Sequence, residues 1–353
     1  TLSRVESVFK ALAIHVVSED PTPGLRNLEV VLTDGDGGTS NIATASTTFS
    51  AVNDAPILTV PVGSTGYTEG ATVFVTPSAT VTDVDSADFD GGQFTVTISS
   101  GGEALDRLYI NSTGTGPGQV MASGTTLSYN DGGGSVVIGT ISGGYGAGDP
   151  LVITFNSSAT ADGVAAVAEQ VLFWNTSEDP AATSRTVTMQ VTDGDGGSSE
   201  IQTRTIDVTP LNDAPTVTIT GGSLAYSEND GAVAVDSGLS VTDVDDVNLT
   251  GATVRIASGF VSTEDSLNFV DQLGITGSYD AGTGILNLTG TASVADYQTA
   301  LRSITYQNSS EVPDTTNRVI DFQVTDGAAS GAGNRTITVD SINDDPYNAG
   351  LLQ

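Results

Sequence analysis

The sequence of 353 residues contains no cysteine, one histidine (His15) and one lysine (Lys10). Without cysteine, no disulfide can stabilise the fold. With one histidine and no cysteine, nucleophilic catalysis of the usual triad type lacks its base, and the sequence favours a protein that is not an enzyme. No apolar run approaches the ~20 residues that span a bilayer, so we expect no membrane insertion.

Basic residues are also few. Ten Lys and Arg residues stand against 43 Asp and Glu residues, and the formal net charge is −33. Such a surface repels the phosphates of nucleic acids, and it also argues against binding to anionic membranes. We therefore expect no nucleic-acid partner.

Residues that favour antiparallel β structure are abundant. Gly, Thr, Ser, Val and Asp dominate the chain, while long helix-forming runs are few. The length suggests two or three domains. The composition and the length together predict several β domains in series.

A short linker sequence divides the chain. Asn53-Asp54-Ala55-Pro56 returns as Asn212-Asp213-Ala214-Pro215 and as Asn343-Asp344-Asp345-Pro346. Because proline lacks a backbone donor, each copy is expected to lie between sheets rather than inside one. The predicted segments are residues 1–53 (the C-terminal part of an incomplete repeat), 54–213 (a complete repeat with an inserted hairpin near 110–150), 214–344 (a complete repeat) and 345–353 (the start of the next linker or repeat).

Other positions recur at a constant spacing. Glu19, Glu178 and Glu311 each precede an arginine by seven residues, and each arginine precedes an aspartate by eight. The arginines are Arg26, Arg185 and Arg318, and the aspartates are Asp34, Asp193 and Asp326. Apolar spacing also predicts a short helix in each unit: over residues 3–12, from Asp162 to Phe173, and from Ser293 to Ile304. Three copies of one spacing indicate internal duplication.

The chain resembles the cadherin-like tandem repeats of large bacterial surface adhesins. The linkers, the stretches at Glu69 and Glu228, and the Asp83-Val-Asp85 and Asp243-Val-Asp245 pairs carry the resemblance. It implies an all-β chain of tandem Greek-key (Ig/cadherin-like) β-sandwiches, each with a short helix, joined by the Asn-Asp-x-Pro linkers. It also implies that Ca²⁺ binds at the joints and stiffens the string of domains.

Strand topology leads to the same expectation about the metal. In a Greek-key sandwich, strand ends alternate between two poles, so residues that follow alternate strands should meet. The joint at the first linker would gather Glu19, Asp54, Asp83, Asp85 and Asp193. The joint at the second linker would gather Glu69, Glu178, Asp213, Asp243, Asp245 and Asp326. Asn53 and Asn212 of the linkers are further predicted ligands. Ca²⁺ accepts ~6–8 oxygen ligands in flexible geometry, which suits such a cluster better than Mg²⁺ or zinc. The alternative is that these acids are solvated charge.

Other conspicuous residues have simpler interpretations. Asp36 and Asp195 belong to Asp-Gly turns, where local turn chemistry is expected. The repeated arginines are interpreted as structural partners of nearby acids. Trp174 and Tyr306 follow the predicted helices at what look like matching positions, and we expect both in the core.

The resulting hypothesis is a calcium-stiffened structural rod segment of an extracellular or cell-surface adhesin, serving adhesion or extension. Its expected partners are other domains or copies of the same protein, with surface glycans or proteins as further candidates. Two alternatives remain open. One is a subunit of an extracellular filament or surface layer. The other is a carbohydrate-binding module whose insertion presents Tyr109, Tyr129 and Tyr145.

Residues 1–53 form a special case. The strand from Arg26 to Asp34 carries Leu28, Val30 and Leu32 on one face, and a helix and two strands cannot bury a sandwich core alone. We expect upstream chain to supply the rest of this unit.

Overall fold

The computed structural model describes residues 2–343, without the side chain of Leu2. The predicted start of a further repeat at 345–353, and the third linker from Asp344 onward, lie outside the described residues. The chain folds as two compact units, Thr1–Thr209 and Pro210–Gln353. No helix within residues 2–343 is long and apolar enough to cross a membrane.

Residues 2–53 form one helix and one hairpin. Helix α1 covers Leu2–Lys10, and strands β1 (Gly24–Val30) and β2 (Ala43–Phe49) pair antiparallel. The strand predicted from Arg26 to Asp34 ends at Val30 in the structure, and the Asp34 carboxylate accepts the N–H groups of Asp36 and Gly38 in the turn that follows. No side chain in residues 3–53 is buried. This segment therefore has no hydrophobic core of its own.

The first complete repeat is a β-sandwich of unequal sheets. Its strands are β3 (Ile57–Thr59), β4 (Ser64–Thr68), β5 (Val73–Phe74), β6 (Thr80–Thr82), β7 (Gln93–Ser100), β8 (Asp106–Ile110), β9 (Val120–Ser123), β10 (Thr126–Asn130), β11 (Ser135–Ser142), β12 (Leu151–Phe155), β13 (Val171–Asn175), β14 (Arg185–Val191) and β15 (Gln202–Thr209). One sheet has the order β4-β15-β14-β7-β12-β11-β10-β9; a second has the order β5-β13-β8, and β3 pairs with β6. Val187, Met189 and Val191 alternate inward along β14, as predicted from their period of two.

The second complete repeat has the same plan. Its strands are β16 (Thr216–Thr218), β17 (Leu224–Ser227), β18 (Val233–Ala234), β19 (Ser240–Thr242), β20 (Asn248–Ser258), β21 (Asp265–Asn268), β22 (Thr276–Asp280), β23 (Ile285–Ser293), β24 (Thr305–Asn308), β25 (Arg318–Thr325) and β26 (Ser330–Asp340). The sheets run β17-β26-β25-β20-β23-β22 and β18-β24-β21, with β16 paired to β19. In both repeats the opening strand of the large sheet, β4 or β17, lies parallel to the last strand.

The two repeats are thus tandem Greek-key sandwiches of the immunoglobulin and cadherin type, as predicted. They differ chiefly in the large sheet, which in the first repeat continues through β10 and β9 at one edge. These two strands lie inside the stretch near 110–150 where the sequence predicts an inserted hairpin.

Each complete repeat contains one short helix. Helix α2 spans Ala161–Glu169 with Thr160 as its N-cap, and α3 spans Val294–Arg302 with Ser293 as its N-cap. The helix predicted from Asp162 to Phe173 is too long, because α2 ends at Glu169. Residues from Val171 onward form β13, the central strand of the three-stranded sheet, so tertiary pairing ends the helix early.

The core around the three-stranded sheet is also duplicated. Tyr67 packs edge-on against Phe173 with ring centroids 5.1 Å apart, and Tyr226 packs against Tyr306 at 5.0 Å. Tyr306 therefore corresponds to Phe173. Trp174, expected in the core, lies one position further along β13 on the opposite face and is 39% exposed. The expectation was right for Tyr306 and wrong for Trp174, because adjacent strand residues face opposite sides.

A buried arginine connects the two sheets of each sandwich. It pairs with acidic side chains, as predicted. The Arg185 side chain is fully buried; its Nε donates to Asp106 Oδ2 at 3.0 Å, and its Nη2 donates to Glu103 Oε2 at 2.8 Å. Asn175 Nδ2 donates to the other Asp106 oxygen at 2.6 Å. Since Arg185 begins β14 and Asp106 begins β8, this cluster joins the large sheet to the small one.

The second repeat contains the same cluster. Arg318 Nε donates to Asp265 Oδ2 at 2.9 Å, and Asn308 Nδ2 donates to Asp265 Oδ1 at 2.9 Å. Arg26 is the exception to the prediction. It is exposed, its Nη2 donates to the Thr22 carbonyl, and its guanidinium carbon lies 5.8 Å from the centroid of the Phe49 ring.

Candidate metal centres

The first linker meets two loops at one end of the first sandwich. Asn53 Nδ2 donates to Asp193 Oδ2 at 2.9 Å, and the Asp54 backbone N–H donates to Asp85 Oδ2 at 3.0 Å. Asp83 and Asp85 follow β6, whereas Asp193 follows β14. The structure therefore brings together the linker, the Asp-Val-Asp loop and the Asp-Gly turn, which the sequence places 30 to 140 residues apart.

The second linker repeats these contacts. Asn212 Nδ2 donates to Asp326 Oδ2 at 3.0 Å, and the Asp213 N–H donates to Asp245 Oδ2 at 2.9 Å. Carboxylate oxygens of Asp243, Asp246 and Asp326 lie within 4.8 Å of one another. Acidic groups thus cluster here closely enough to hold a metal ion.

Local turn chemistry orients the aspartates. Asp193 Oδ1 accepts the N–H groups of Asp195, Gly196 and Gly197. Gly196 has a φ of +116°, which a residue with a side chain rarely adopts, and so glycine suits this turn. In the second repeat, Asp326 Oδ1 likewise accepts the N–H groups of two residues that follow it. Oδ1 of each aspartate accepts from its own turn, whereas Oδ2 accepts from the linker amide and, in Asp193, also from the Gly197 N–H.

Several carboxylate oxygens in these clusters are buried without a partner. Within residues 2–343, Asp83 Oδ2 and Asp85 Oδ1 have no hydrogen-bond partner, and the same atoms of Asp243 and Asp245 have none either. Asp213 Oδ2 and Glu228 Oε1 share this property. A buried acceptor without a donor costs about 1–3 kcal/mol, and more when it is charged. The same atoms therefore lack a hydrogen-bond partner in both repeats, as the carboxylate oxygens of a metal site without its ion would.

The pKa values of the clustered aspartates are shifted by burial, by neighbouring carboxylates and by hydrogen bonds. Burial, aided by the adjacent Asp85 carboxylate, raises the pKa of Asp83 despite opposing backbone N–H groups. Burial and Asp245 raise the pKa of Asp243 in the same way. Burial also acts to raise the pKa of Asp193, but hydrogen bonds from Asn53 and the turn outweigh it, and the pKa is lowered. In each pair, therefore, burial and a neighbouring carboxylate disfavour the charged form of one aspartate and raise its pKa.

Glu19 reaches the first cluster from residues 2–53. It lines a cleft of about 500 Å³ together with Asp54 and Asp83. Glu19 itself is exposed. The structure thus places Glu19 beside the predicted companions Asp54 and Asp83.

At the other end of the first sandwich, Glu69 and Glu178 meet. Their carboxylate oxygens lie within 4.8 Å of each other, and the Glu69 N–H donates to the Thr209 carbonyl at 3.1 Å. In the second repeat, Glu228 corresponds to Glu69. It is 2% exposed, and its Oε2 accepts the N–H of Ile342 at 2.9 Å. Glu228 thus stands next to the segment that leads into the third linker.

Sequence reasoning missed some of these residues. Asp246 belongs to the second cluster, but the first repeat has Ser86 at that position, and an unrepeated residue gave no periodic signal. Asp106 and Asp265 were missed as partners of the arginines. Glu103 precedes Asp106 by three residues, whereas Glu264 directly precedes Asp265, so no constant spacing marks them.

Comparisons with known proteins found a relative of part of the sequence and distantly similar structures. No protein-family model matches the chain. Halomucin of Haloquadratum walsbyi is 38% identical over 133 residues, which is 36% of this chain and 1% of that protein. The chain therefore spans about one hundredth of the length of the curated relative that it matches.

Solved structures with similar architecture include tandem domains. The I67–I69 fragment of the titin I-band is 9% identical, with a TM-score of 0.26, and the match covers 88% of this chain and 77% of that one. Drosophila N-cadherin EC1-3 is 12% identical, with a TM-score of 0.18, and the match covers 86% and 75%. The fold assignment rests on the strand order of this chain and not on these scores.

Proposed function

We propose that the chain is a calcium-binding structural segment of an extracellular or cell-surface protein, with a role in adhesion or extension rather than catalysis. The observation that carries this proposal is the set of buried, partnerless carboxylate oxygens, repeated atom for atom at Asp83 and Asp85 and at Asp243 and Asp245. A bound cation would give these oxygens the partner that residues 2–343 do not supply.

The donor set favours Ca²⁺ among the common metals. All candidate ligands are oxygens, several come from different loops, and Ca²⁺ accepts ~6–8 oxygens at flexible angles. Mg²⁺ demands near-octahedral geometry, and zinc prefers nitrogen and sulfur ligands. A chain without cysteine and with a single histidine offers little to zinc.

The residues that would hold the ion follow from the clusters. Near the first linker we assign Glu19, Asp54, Asp83, Asp85 and Asp193. Near the second we assign Asp213, Asp243, Asp245 and Asp326, and we add Asp246. Asn53 and Asn212 donate their amide nitrogens to Asp193 and Asp326 and so orient those carboxylates. Through their carbonyl oxygens they also remain predicted ligands. Glu69 and Glu178 remain predicted ligands, and stiffening of the rod by Ca²⁺ remains a prediction.

Two further features support the proposed setting. Tandem sandwiches with no histidine or cysteine in the site fit a structural role better than a catalytic one. The name of the matched relative, halomucin, supports an extracellular or surface location. Copies of the same protein are the partners that a repeating segment of this kind would meet.

Calorimetric titration of the metal-free chain with Ca²⁺ tests the proposal. A ligand that binds only the folded state stabilises that state. Ca²⁺ at about a hundred times its Kd should therefore add about 2.7 kcal/mol to the free energy of unfolding. The double variant Asp243→Asn, Asp245→Asn should bind fewer ions than the natural chain. Glu200→Gln, which removes one exposed charge elsewhere, should retain the full number. Absence of heat and of any shift in Tm would refute the proposal. Small-angle scattering with and without chelator would test stiffening separately.

A further inference from the structure

The first repeat contains an aromatic cleft that the metal clusters do not involve. It has a volume of about 470 Å³, and its lining includes Arg107, Tyr109, Tyr145 and Trp174. Trp174 is 39% exposed and Tyr145 is 76% exposed. The volume falls in the range of small-molecule sites, ~300–1,000 Å³. Large aromatic side chains left open to solvent in a concave surface suggest a ligand.

The pairing of β8 with β13 places the aromatic residues side by side. Trp174 lies opposite Arg107, and Leu172 lies opposite Tyr109, in an antiparallel register. Leu108 and Phe173 alternate with them and are buried in the core. Trp174 and Tyr109 are therefore diagonal neighbours on the outer face, within reach of a common ligand.

The loop that carries Tyr145 is held against the same strand. The Leu108 N–H donates to the Gly144 carbonyl at 2.9 Å, and the Tyr145 N–H donates to an Asp149 carboxylate oxygen at 3.0 Å. A Cβ atom at Gly144 would come within 2.2 Å of the Leu108 carbonyl oxygen, so only glycine permits this approach. The backbone at Tyr145 is thus held beside β8, and its exposed ring lines the cleft.

The second repeat is an internal comparison. Its strands β21 and β24 have the same register, with Ser266 opposite Gln307 where the first repeat has Arg107 opposite Trp174. Asn268 occupies the position of Tyr109. Because the same sheet forms with polar residues that are not aromatic, its folding does not require an aromatic outer face. The aromatic residues of the first repeat call for another explanation.

We propose that this cleft binds a neutral oligosaccharide, independently of the calcium sites. The apolar face of a pyranose ring would stack on Trp174 and on Tyr109 or Tyr145, whose rings combine an apolar body with a polar tip. Arg107 Nη1 donates to the carbonyls of Ala104 and Asp106, which fixes the guanidinium at the cleft, beside the hydroxyls of a stacked sugar. The net charge of −33 opposes polyanionic glycans. Tyr129, the third tyrosine suggested by the sequence, packs against the core instead.

Fluorescence offers a direct assay, because Trp174 is the only tryptophan of the chain. The intact protein would be titrated with cellohexaose, chitohexaose and maltohexaose, and with a sulfated polysaccharide as the charged comparison. We expect a saturable shift of the emission to shorter wavelength with at least one neutral sugar and none with the sulfated chain. The absence of a shift with every neutral sugar, or binding of the sulfated chain alone, would overturn the proposal.

Variants separate binding from folding. Tyr145→Ala removes an exposed side chain and should weaken association about tenfold without lowering Tm. Trp174→Gln introduces the residue of the second repeat and should abolish binding by calorimetry. Gln307→Ala, at the equivalent position of the second repeat, is the matched control and should bind normally. Unchanged affinity in Tyr145→Ala and Trp174→Gln would refute the proposed site.

Discussion

Removal of the buried guanidinium of Arg185 should destabilise the first repeat strongly. In Arg185→Met, the Asp106 carboxylate would keep its hydrogen bonds from Asn175 and from the Glu103 N–H, but it would lose its only buried cation. Breaking one side of a buried ion pair costs about 3–5 kcal/mol. Because two hydrogen bonds to Asp106 remain, we expect about 3 kcal/mol. The partly exposed Glu103 adds little, since surface pairs are screened.

Urea unfolding followed by Trp174 fluorescence would measure this loss. Trp174 is the only tryptophan and precedes Asn175 on β13, so its emission reports on the affected sandwich. At ~2–4 °C for each kcal/mol, Tm of the first unit should fall by about 6–12 °C. Arg26→Met is a matched control, because that arginine is exposed, and it should cost less than about 1 kcal/mol.

Two outcomes would contradict this reasoning. Equal losses in Arg185→Met and Arg26→Met would show that the buried pair contributes no more than a surface charge. The double variant Arg185→Met, Asp106→Leu should recover part of the loss, because no unpaired carboxylate stays buried. A double variant as unstable as the sum of the two single variants would indicate that the residues do not interact.

Two further predictions concern the second repeat. Burial acts to raise the pKa of Asp236, but hydrogen bonds, led by those from Thr220, outweigh it, and the pKa is lowered. The charged Asp236 therefore stabilises the folded state fully above the unfolded pKa of about 4, and this stabilisation is lost as pH falls through the folded pKa. Asp236→Asn should thus lower Tm at pH 7 and flatten the acid limb of a Tm–pH curve, whereas an unchanged limb would contradict the prediction. Gly331→Ala should cost about 1–3 kcal/mol in urea unfolding, because its Cβ would collide with the Pro215 carbonyl oxygen; Gly221→Ala, in open space, is the control, and equal stability of the two would contradict the collision.

The fold was largely predictable because its signals are local and repeated. Alternation of apolar residues predicted the inward faces of β14 and β25. The helix ends were not predictable in the same way. Val171 continues the helical spacing of Val164 and Val167 but belongs to β13, because pairing with strands distant in sequence decides its conformation.

The candidate site was predictable only to the extent that it is duplicated. Asp83, Asp85 and Asp193 have counterparts at a constant spacing, and topology brought them to one end of the sandwich. Asp246 has no acidic counterpart, since Ser86 stands in its place, and only the three-dimensional arrangement shows it. The sequence matched Trp174 to Tyr306, whereas the counterpart of Tyr306 is Phe173. This error of one position placed Trp174 on the wrong face of its strand.

Both ends of each sandwich contain clustered carboxylates, but the partners of these carboxylates differ. Arg185 begins β14 and Asp193 follows its end, eight residues later, so about 26 Å of strand separates them. At the arginine end, the chain itself supplies the cation that Asp106 needs, and every oxygen of that carboxylate has a partner. At the aspartate end, linker amides donate to Asp85 and Asp193, while one oxygen each of Asp83 and Asp85 has no hydrogen-bond partner among residues 2–343. Under the proposal that the linkers bind Ca²⁺, we expect the order of the aspartate end to depend on a cation from solution, whereas the arginine end has its cation in the chain. In a chain with nine arginines, one lysine and 43 acids, the proposal would confine sensitivity to an external cation to the linkers and leave the sandwich cores unaffected.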